Sequence, residues 1–243
     1  MAFKNAYEDA QFAEAYSKLR FPGTYYLAYR DLPRILREHV RGNTALDFGC
    51  GAGRSTRFLR EQGFEVTGVD IAGDMIKRAK AIDPRGDYRR IRSGDLCAFQ
   101  SGSFDLVLSA FTFDNIPGMA QKVGLFAELA RVLRPAGRIV NLVSSPAIYV
   151  HEWASFTTAA FPENRAAGSG DIVRIVNTAI EDARPVEDVL WTRESYEDVF
   201  RGAGLEIAGL YEPLARDDEL FTWVNETTIA PWVIYVLEPR RAR

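Results

Sequence analysis

Between Thr44 and Ser55 the chain reads TALDFGCGAGRS, with glycines at alternate positions, Gly49, Gly51 and Gly53, and an acid, Asp47, two residues before the first of them. Glycines this close let a backbone turn sharply and let a ligand pass within contact of the main chain. A turn that cradles a dinucleotide pyrophosphate has glycines at its first, third and sixth positions. Here Gly49 and Gly51 fit, but the sixth position is Arg54 and the third glycine falls early, at Gly53. Asp47 would repel a phosphate and suits an amine instead. Asp70, which closes the run EVTGVD, stands where a carboxylate can take both hydroxyls of a ribose. An amine and a ribose with no phosphate between them describe an amino acid joined to a nucleoside, which is S-adenosylmethionine.

Such a turn needs strands that end on one edge of a sheet. From residue 44 short apolar runs alternate with amphipathic helices: ALDF, STRFLREQ, EVTGVD, DMIKRAKAI, YRRIRSGD, FDLVLSAF, QKVGLFAELARVLR, a turn at Pro135 and Gly137, and RIVNLVSS. Strands joined by helical crossovers call for a parallel sheet covered on both faces. Residues 1–42 read as an N-terminal helical cap, with Phe12, Tyr16 and Leu19 on one stripe, Leu32, Ile35, Leu36 and Val40 on a second, and FPGTYY as a turn between them. After Ser145 the rhythm breaks. Residues 146–192 read as an insertion: an aromatic stretch AIYVHEWASF, a Gly/Ser loop, and two alternating runs, DIVRIVNTAIE and VEDVLW, that predict an antiparallel hairpin. A helix, RESYEDVFRGAG, and two strands, LEIAGLYE and PWVIYVLE, close a single domain over 1–243.

Four motifs in register, Asp47 to Gly53, the strand-ending Asp70, Gly94-Asp95-Leu96 after the third strand, and LRPAGR before the fifth, resemble the class I (Rossmann-like) S-adenosylmethionine-dependent methyltransferases over about residues 44–143. The resemblance implies a seven-stranded, doubly wound, mostly parallel α/β sheet of order 3-2-1-4-5-7-6 with the last strand antiparallel, and the hairpin insertion after strand 5. It also implies roles. Gly49, Gly51 and Gly53 would approach the methionine part, with Asp47 facing its ammonium directly or through water. Asp70 would hold the ribose, with Ile71 and Met75 near the adenine. Asp95 would take the adenine amino group and Leu96 would offer a backbone N–H to the ring. Ser109, Ala110 and Phe111 would line the methionine end, and Tyr16 and Arg20 would meet the carboxylate.

Methyl transfer from a sulfonium is an in-line displacement, so the protein mainly positions the acceptor and excludes water. Aromatic faces suit the positive sulfur, and Tyr25, Tyr26, Phe111, Phe113, Tyr149, Trp153 and Trp223 are the expected substrate walls. Asp114 and Glu226 are expected binders of a substrate amine. A hydroxyl acceptor needs its proton removed, whereas a free amine does not. His151 in YVHEW is the candidate base, set against a structural role beside Glu152 and Trp153; His39 reads as the inner face of a helix. The stretch SAFTFDNIP lacks the Asn/Asp-Pro-Pro-Tyr run of enzymes that methylate amides and base amino groups.

The aromatic insertion and the absence of an appended domain favour a metabolite or natural product as acceptor. A net charge of −3 gives no sequence-wide attraction to nucleic acid or anionic membrane. An RNA methyltransferase and a non-catalytic S-adenosylmethionine-binding protein are the competing readings. The N-terminal MAFKNAYEDAQF lacks the apolar core of a signal peptide, and no stretch is long and apolar enough to span a bilayer. A soluble, cytoplasmic protein is expected. Cys50 and Cys97 fit no ligand spacing or disulfide framework, so no metal is expected.

Overall fold

The computed structural model describes residues 23–92 and 94–240. Its main sheet has seven strands: β1 (Thr44–Phe48), β2 (Glu65–Asp70), β3 (Asp87–Arg90), β4 (Phe104–Ala110), β5 (Leu133–Ser144), β9 (Leu205–Tyr211) and β10 (Trp232–Pro239). The order is β3-β2-β1-β4-β5-β10-β9. The pairs β1–β2, β1–β4, β2–β3 and β4–β5 are parallel, and β10 runs antiparallel to both β5 and β9. This is the topology that the sequence resemblance implies. A second, antiparallel sheet, of order β6-β7-β8, comes from residues between β5 and β10: β6 (Phe156–Thr157), β7 (Ile172–Asn177) and β8 (Val186–Val189).

Period-two alternation along the strands divides the core. On one face Ala45, Leu106, Leu108, Val140 and Leu142 pack with α1 (Thr24–Arg30), α2 (Leu32–His39) and α3 (Arg54–Glu61). On the other, Leu46, Val107, Ile139 and Val143 pack with α5 (Met119–Val132) and α6 (Arg193–Gly202), whose Phe126, Leu129, Val199 and Phe200 form the apolar stripe. The remaining crossover, α4 (Gly73–Ile82), buries Met75, Ile76 and Ala79. Thr192 caps α6 by accepting from the Ser195 backbone N–H at 3.4 Å.

Two local expectations change. The segment FPGTYY is not all turn: Gly23, at φ 52, ends it, and Tyr25 and Tyr26 already belong to α1. The first amide of that helix, which has no partner within the helix, is satisfied from the insertion, because Thr24 N–H donates to Ser155 Oγ at 3.1 Å. The Pro135/Gly137 stretch lies within the span of β5, where the pairing with β4 shifts register between Phe104 and Leu106. Among the described residues, no helix is long and apolar enough to cross a membrane.

Candidate active site

The carboxyl ends of β1, β2 and β4 open on a cleft of about 1240 Å³, the expected ligand position in an open parallel sheet. Its floor is main chain. Gly49, Gly51 and Gly53 have φ of +77, +53 and +79, a region costly for residues with a Cβ. A Cβ at Gly49 would collide with the Thr112 side chain and one at Gly53 with the Tyr88 ring, whereas at Gly51 it would meet nothing within 4 Å. Gly49 and Cys50 N–H groups donate to Val69 O at 2.8 and 3.0 Å, which ties the turn to β2. Phe111, on the opposite wall, is the one non-glycine residue with positive φ (63°) among the described residues, a conformation that the surroundings must hold against strain.

Asp70 lines the cleft and joins two turns: its carboxylate accepts from Gly51 N–H at 2.8 Å and Ala72 N–H at 2.7 Å. Burial pushes its pKa up against these hydrogen bonds. Asp47 lies beneath the turn and off the cleft wall. Its Oδ2 accepts from Ser55 Oγ at 2.7 Å and Thr56 Oγ1 at 2.6 Å, and its Oδ1 is buried with no hydrogen-bond partner among the described residues. Burial raises this acid to about 6.

Ile71, Met75, Ala110 and Phe111 stand on the cleft wall with Gly49 and Gly51. Gly53, turned against the Tyr88 ring, does not line it, and neither do three other expected residues. Asp95 is exposed, and its carboxylate turns back on its own loop to accept from Cys97 N–H at 3.0 Å. Leu96 is core, with its carbonyl taken by Arg131 at 3.0 Å. Ser109 points into the sheet packing, fully buried. The wall there is made by Ile91 and Gly94 instead. Tyr16 and Arg20 lie outside the described residues. Arg54, whose guanidinium sits over the Tyr25 and Tyr29 rings at 5.2 and 5.5 Å, lines the cleft unanticipated, although its position had already marked the departure from a pyrophosphate pattern.

Next to the cleft, and sharing Phe111 and Asn115 with it, lies a second, smaller cavity. Tyr25, Phe111, Phe156 and Trp232 form its aromatic side; Tyr25 stacks on Trp232 with centroids 5.6 Å apart, and Phe111 meets Trp232 edge-on at 4.8 Å. Its other side is polar. Asp114, on the short turn Thr112–Asn115, accepts from Ser144 N–H at 3.1 Å and Ser144 Oγ at 2.9 Å. Asp188, on β8, accepts from Tyr149 OH at 3.1 Å. Burial raises both acids, and the negative charge of Asp114 raises Asp188 further, to about 8. Lys122 is buried behind Asp114, donating to Phe113 O and lying 4.9 Å from the Trp191 ring centroid; burial lowers its pKa.

Of the expected substrate residues, Tyr25, Phe111, Asp114 and Tyr149 reach this cavity. The others are structural. Tyr26 packs on Phe221, Phe113 stacks on Phe126 in the core at 4.0 Å, and the Trp153 and Trp223 indoles donate to the carbonyls of Ile148 and Arg216. Glu226, fully buried, accepts from Thr24 Oγ1, Ala154 N–H, Val224 N–H and Asn225 N–H, and so clamps α1 to the insertion. His151 lies on the wall of neither cavity; its ring edges onto Trp153 at 6.2 Å. His39 is bonded to Tyr211 OH at 2.6 Å. Asp188, Asn177, Phe156 and Trp232 were not anticipated. Asp188 alone had a local signal, an acid on the alternating run VEDVLW.

A family model described as a methyltransferase domain matches residues 46–141. The chain is 39% identical over 102 residues to a 2-methyl-6-phytyl-1,4-hydroquinone methyltransferase of Synechocystis sp., a match covering 41% of this chain and 31% of that protein. It is 27% identical over 205 residues to a ubiquinone biosynthesis O-methyltransferase of Nitrosococcus oceani, covering 80% of this chain and 79% of that one. The chain thus spans about a third of the first relative's length and most of the second's. Among solved structures, an S-adenosylmethionine-dependent methyltransferase from Clostridium acetobutylicum superposes with a TM-score of 0.66 at 14% identity, over 95% of this chain and 98% of that one, a likeness of fold.

Proposed function

We propose that this chain, which belongs to the class I S-adenosylmethionine-dependent methyltransferase family, transfers a methyl group to an oxygen of a small-molecule acceptor. The observation that carries this reading is the pairing of the two cavities: a backbone-floored cleft and an aromatic cavity with one polar side share Phe111 and Asn115 on their walls. The cleft fits the cofactor, because Gly51 leaves open the space into which a side chain would project and the Asp70 carboxylate lines the wall beside it. Gly49 and Gly51 would hold the methionine part and Asp70 the ribose, with Ile71 and Met75 against the adenine. Asp47 would act from beneath, fixing the start of α3 through Ser55 and Thr56. The bound cofactor supplies an electrophilic methyl group on sulfur.

The acceptor would lie in the second cavity, with Tyr25, Phe111, Phe156 and Trp232 excluding water and orienting it, and with residues 146–192 closing over it as a lid. The name of the first relative supports a hydroquinone-type ring, and that of the second an oxygen acceptor. Isothermal calorimetry with S-adenosylhomocysteine, followed by an acceptor screen with labelled methyl donor and mass spectrometry of the product, tests this reading. Saturable binding and a labelled small molecule are expected. Failure to bind S-adenosylhomocysteine would overturn it.

A further inference from the structure

This inference rests on the reading above. A hydroxyl is a poor nucleophile until its proton leaves, so an oxygen acceptor needs a base within hydrogen-bond reach. His151 stands outside both cavities. The geometry points to Asp188 as the catalytic base, taking the proton of a phenolic hydroxyl bound against Tyr25, Phe111, Phe156 and Trp232, with Tyr149 and Asp114 as positioning residues.

The second antiparallel sheet delivers this carboxylate. Asp188 lies opposite Val173 on the inner face of the β7–β8 pair, whereas its neighbour Glu187 pairs with Arg174 at 3.1 Å on the outer face. One oxygen of Asp188, Oδ2, is taken by Tyr149 OH, and the side chain lines the cavity, which leaves Oδ1 for a ligand. On the same wall Asn177 is 3% exposed; its Oδ1 accepts from Ala179 N–H at 2.9 Å, and its Nδ2 is buried without a hydrogen-bond partner among the described residues. A buried amide donor left unmatched is costly, and an acceptor oxygen in the cavity would satisfy it. The aromatic side offers ring faces, and the polar side offers one proton acceptor and one spare donor. A flat ring with two oxygens, of the catechol or hydroquinone type, matches both.

The charges around Asp188 set its basicity. Burial raises it most, Asp114 of the Thr112–Asn115 turn raises it further, and Tyr149, from the Pro146–Tyr149 turn, lowers it by hydrogen bonding. Tyr196 of α6 faces the same cluster as an un-ionised phenol. Lys122 of α5 compensates Asp114 rather than Asp188. The outcome, about 8, keeps Asp188 close to the working range of a base. In the transfer, the acceptor O–H bond breaks and its proton passes to the Asp188 carboxylate. The electron pair stays on oxygen and forms the new O–C bond to the donated methyl, while the pair of the broken S–C bond leaves on sulfur. The proton is later released to water.

The test uses the full chain with S-adenosylmethionine, catechol and hydroquinone as probes, and 1,2-diaminobenzene as the amine counterpart. Asp188→Asn should bind S-adenosylhomocysteine with unchanged affinity by calorimetry, which shows a folded cleft, and should lose about 10²-fold or more in kcat on the phenols. In wild type kcat/KM should rise with pH through about 8 and level off. Tyr149→Phe should move that limb to higher pH and Asp114→Asn to lower pH, shifts that a merely structural role would not give. Independently of turnover, the infrared difference between wild type and Asp188→Asn at neutral pH should contain a protonated-carboxyl band that titrates away through the same pH. Undiminished kcat in Asp188→Asn, a missing carboxyl band, or methylation of the diamine with none of the phenols would each overturn the assignment. So would failure to methylate any phenol in a chain that binds S-adenosylhomocysteine. Failure of wild type to bind S-adenosylhomocysteine would instead strike the function on which it rests.

Discussion

The two adjoining cavities are made of different material. The floor of the cleft is a short stretch of main chain, Gly49 to Gly53, whose shape follows from positive φ values and from two hydrogen bonds to Val69 O. The neighbouring cavity is made of side chains brought together from α1, the ends of β4 and β5, β6, β7, β8 and β10. A backbone site tolerates change in surrounding side chains but not in the residues of its own turn. A side-chain site can be rebuilt around a fixed floor. The first suits a ligand common to a family, and the second suits one that differs between members.

The largest expected effect breaks the comparison at its deepest acid. Asp47 is raised from 3.8 to about 6 by burial beneath the turn. The folded state therefore holds a proton that the unfolded chain releases, so this group's contribution is complete below about 4 and is lost as pH rises through about 6, roughly 3 kcal/mol at about 1.4 per pKa unit. Asp47→Asn should flatten that slope when calorimetric unfolding is followed from pH 4 to pH 7. Equal slopes in the two proteins would mean that Asp47 is not held as a buried, desolvated acid.

The next effect separates two glycines of the same floor. Gly49→Ala adds both a strained φ and a collision with Thr112, and should cost the protein about 2–3 kcal/mol of stability. Gly51→Ala adds the φ cost with no protein atom in the way, and should cost the protein about 1 kcal/mol of stability. Equal stability losses at the two positions would show that Thr112 yields freely. Asp70→Ala follows, with an expected loss of about 1–3 kcal/mol in cofactor binding, the scale of charged hydrogen bonds. Part of that loss would come from the turn itself, since Gly51 and Ala72 N–H groups lose their acceptor. Unchanged calorimetric affinity would remove Asp70 from the cofactor site.

The same difference in material explains what could be read from the sequence. Gly49, Gly51 and Asp70 announce themselves because a turn is local, and the alternation of strands and helices is local too. The alternation gives a parallel sheet covered on both faces, and the strand order is what the resemblance to the methyltransferase family implies. Asp95 and Ser109 were misplaced by a residue or two of orientation: β4 carries Ala110 and Phe111 to the cleft while Ser109 points into the packing, and Asp95 caps its own loop. The second cavity was legible only in part, through Tyr25, Phe111, Asp114 and Tyr149, because its parts are far apart in the chain. Tyr25 and Trp232 stack across more than two hundred positions, and nothing local distinguishes Trp232 from the core residues of β10. Of the aromatic residues expected in the insertion, Trp153 and Tyr149 look alike in YVHEW until one donates to Ile148 O and the other to Asp188.

The smallest expected effect concerns the residue that sequence reasoning made the base. His151 is half-buried, edge-on to Trp153, and its backbone carbonyl accepts from Thr158 Oγ1 at 3.0 Å. That backbone hydrogen bond survives His151→Ala. Trp153, held by its own bond to Ile148 O at 2.9 Å, loses one ring edge and keeps its place. His151→Ala should therefore leave kcat on catechol within about twofold and cofactor affinity unchanged, with a stability loss of about 1 kcal/mol or less from the aromatic contact. A fall in kcat as large as that expected for Asp188→Asn, with the pH limb displaced, would place His151 in proton transfer. It would also require the lid residues to sit differently when the acceptor is bound.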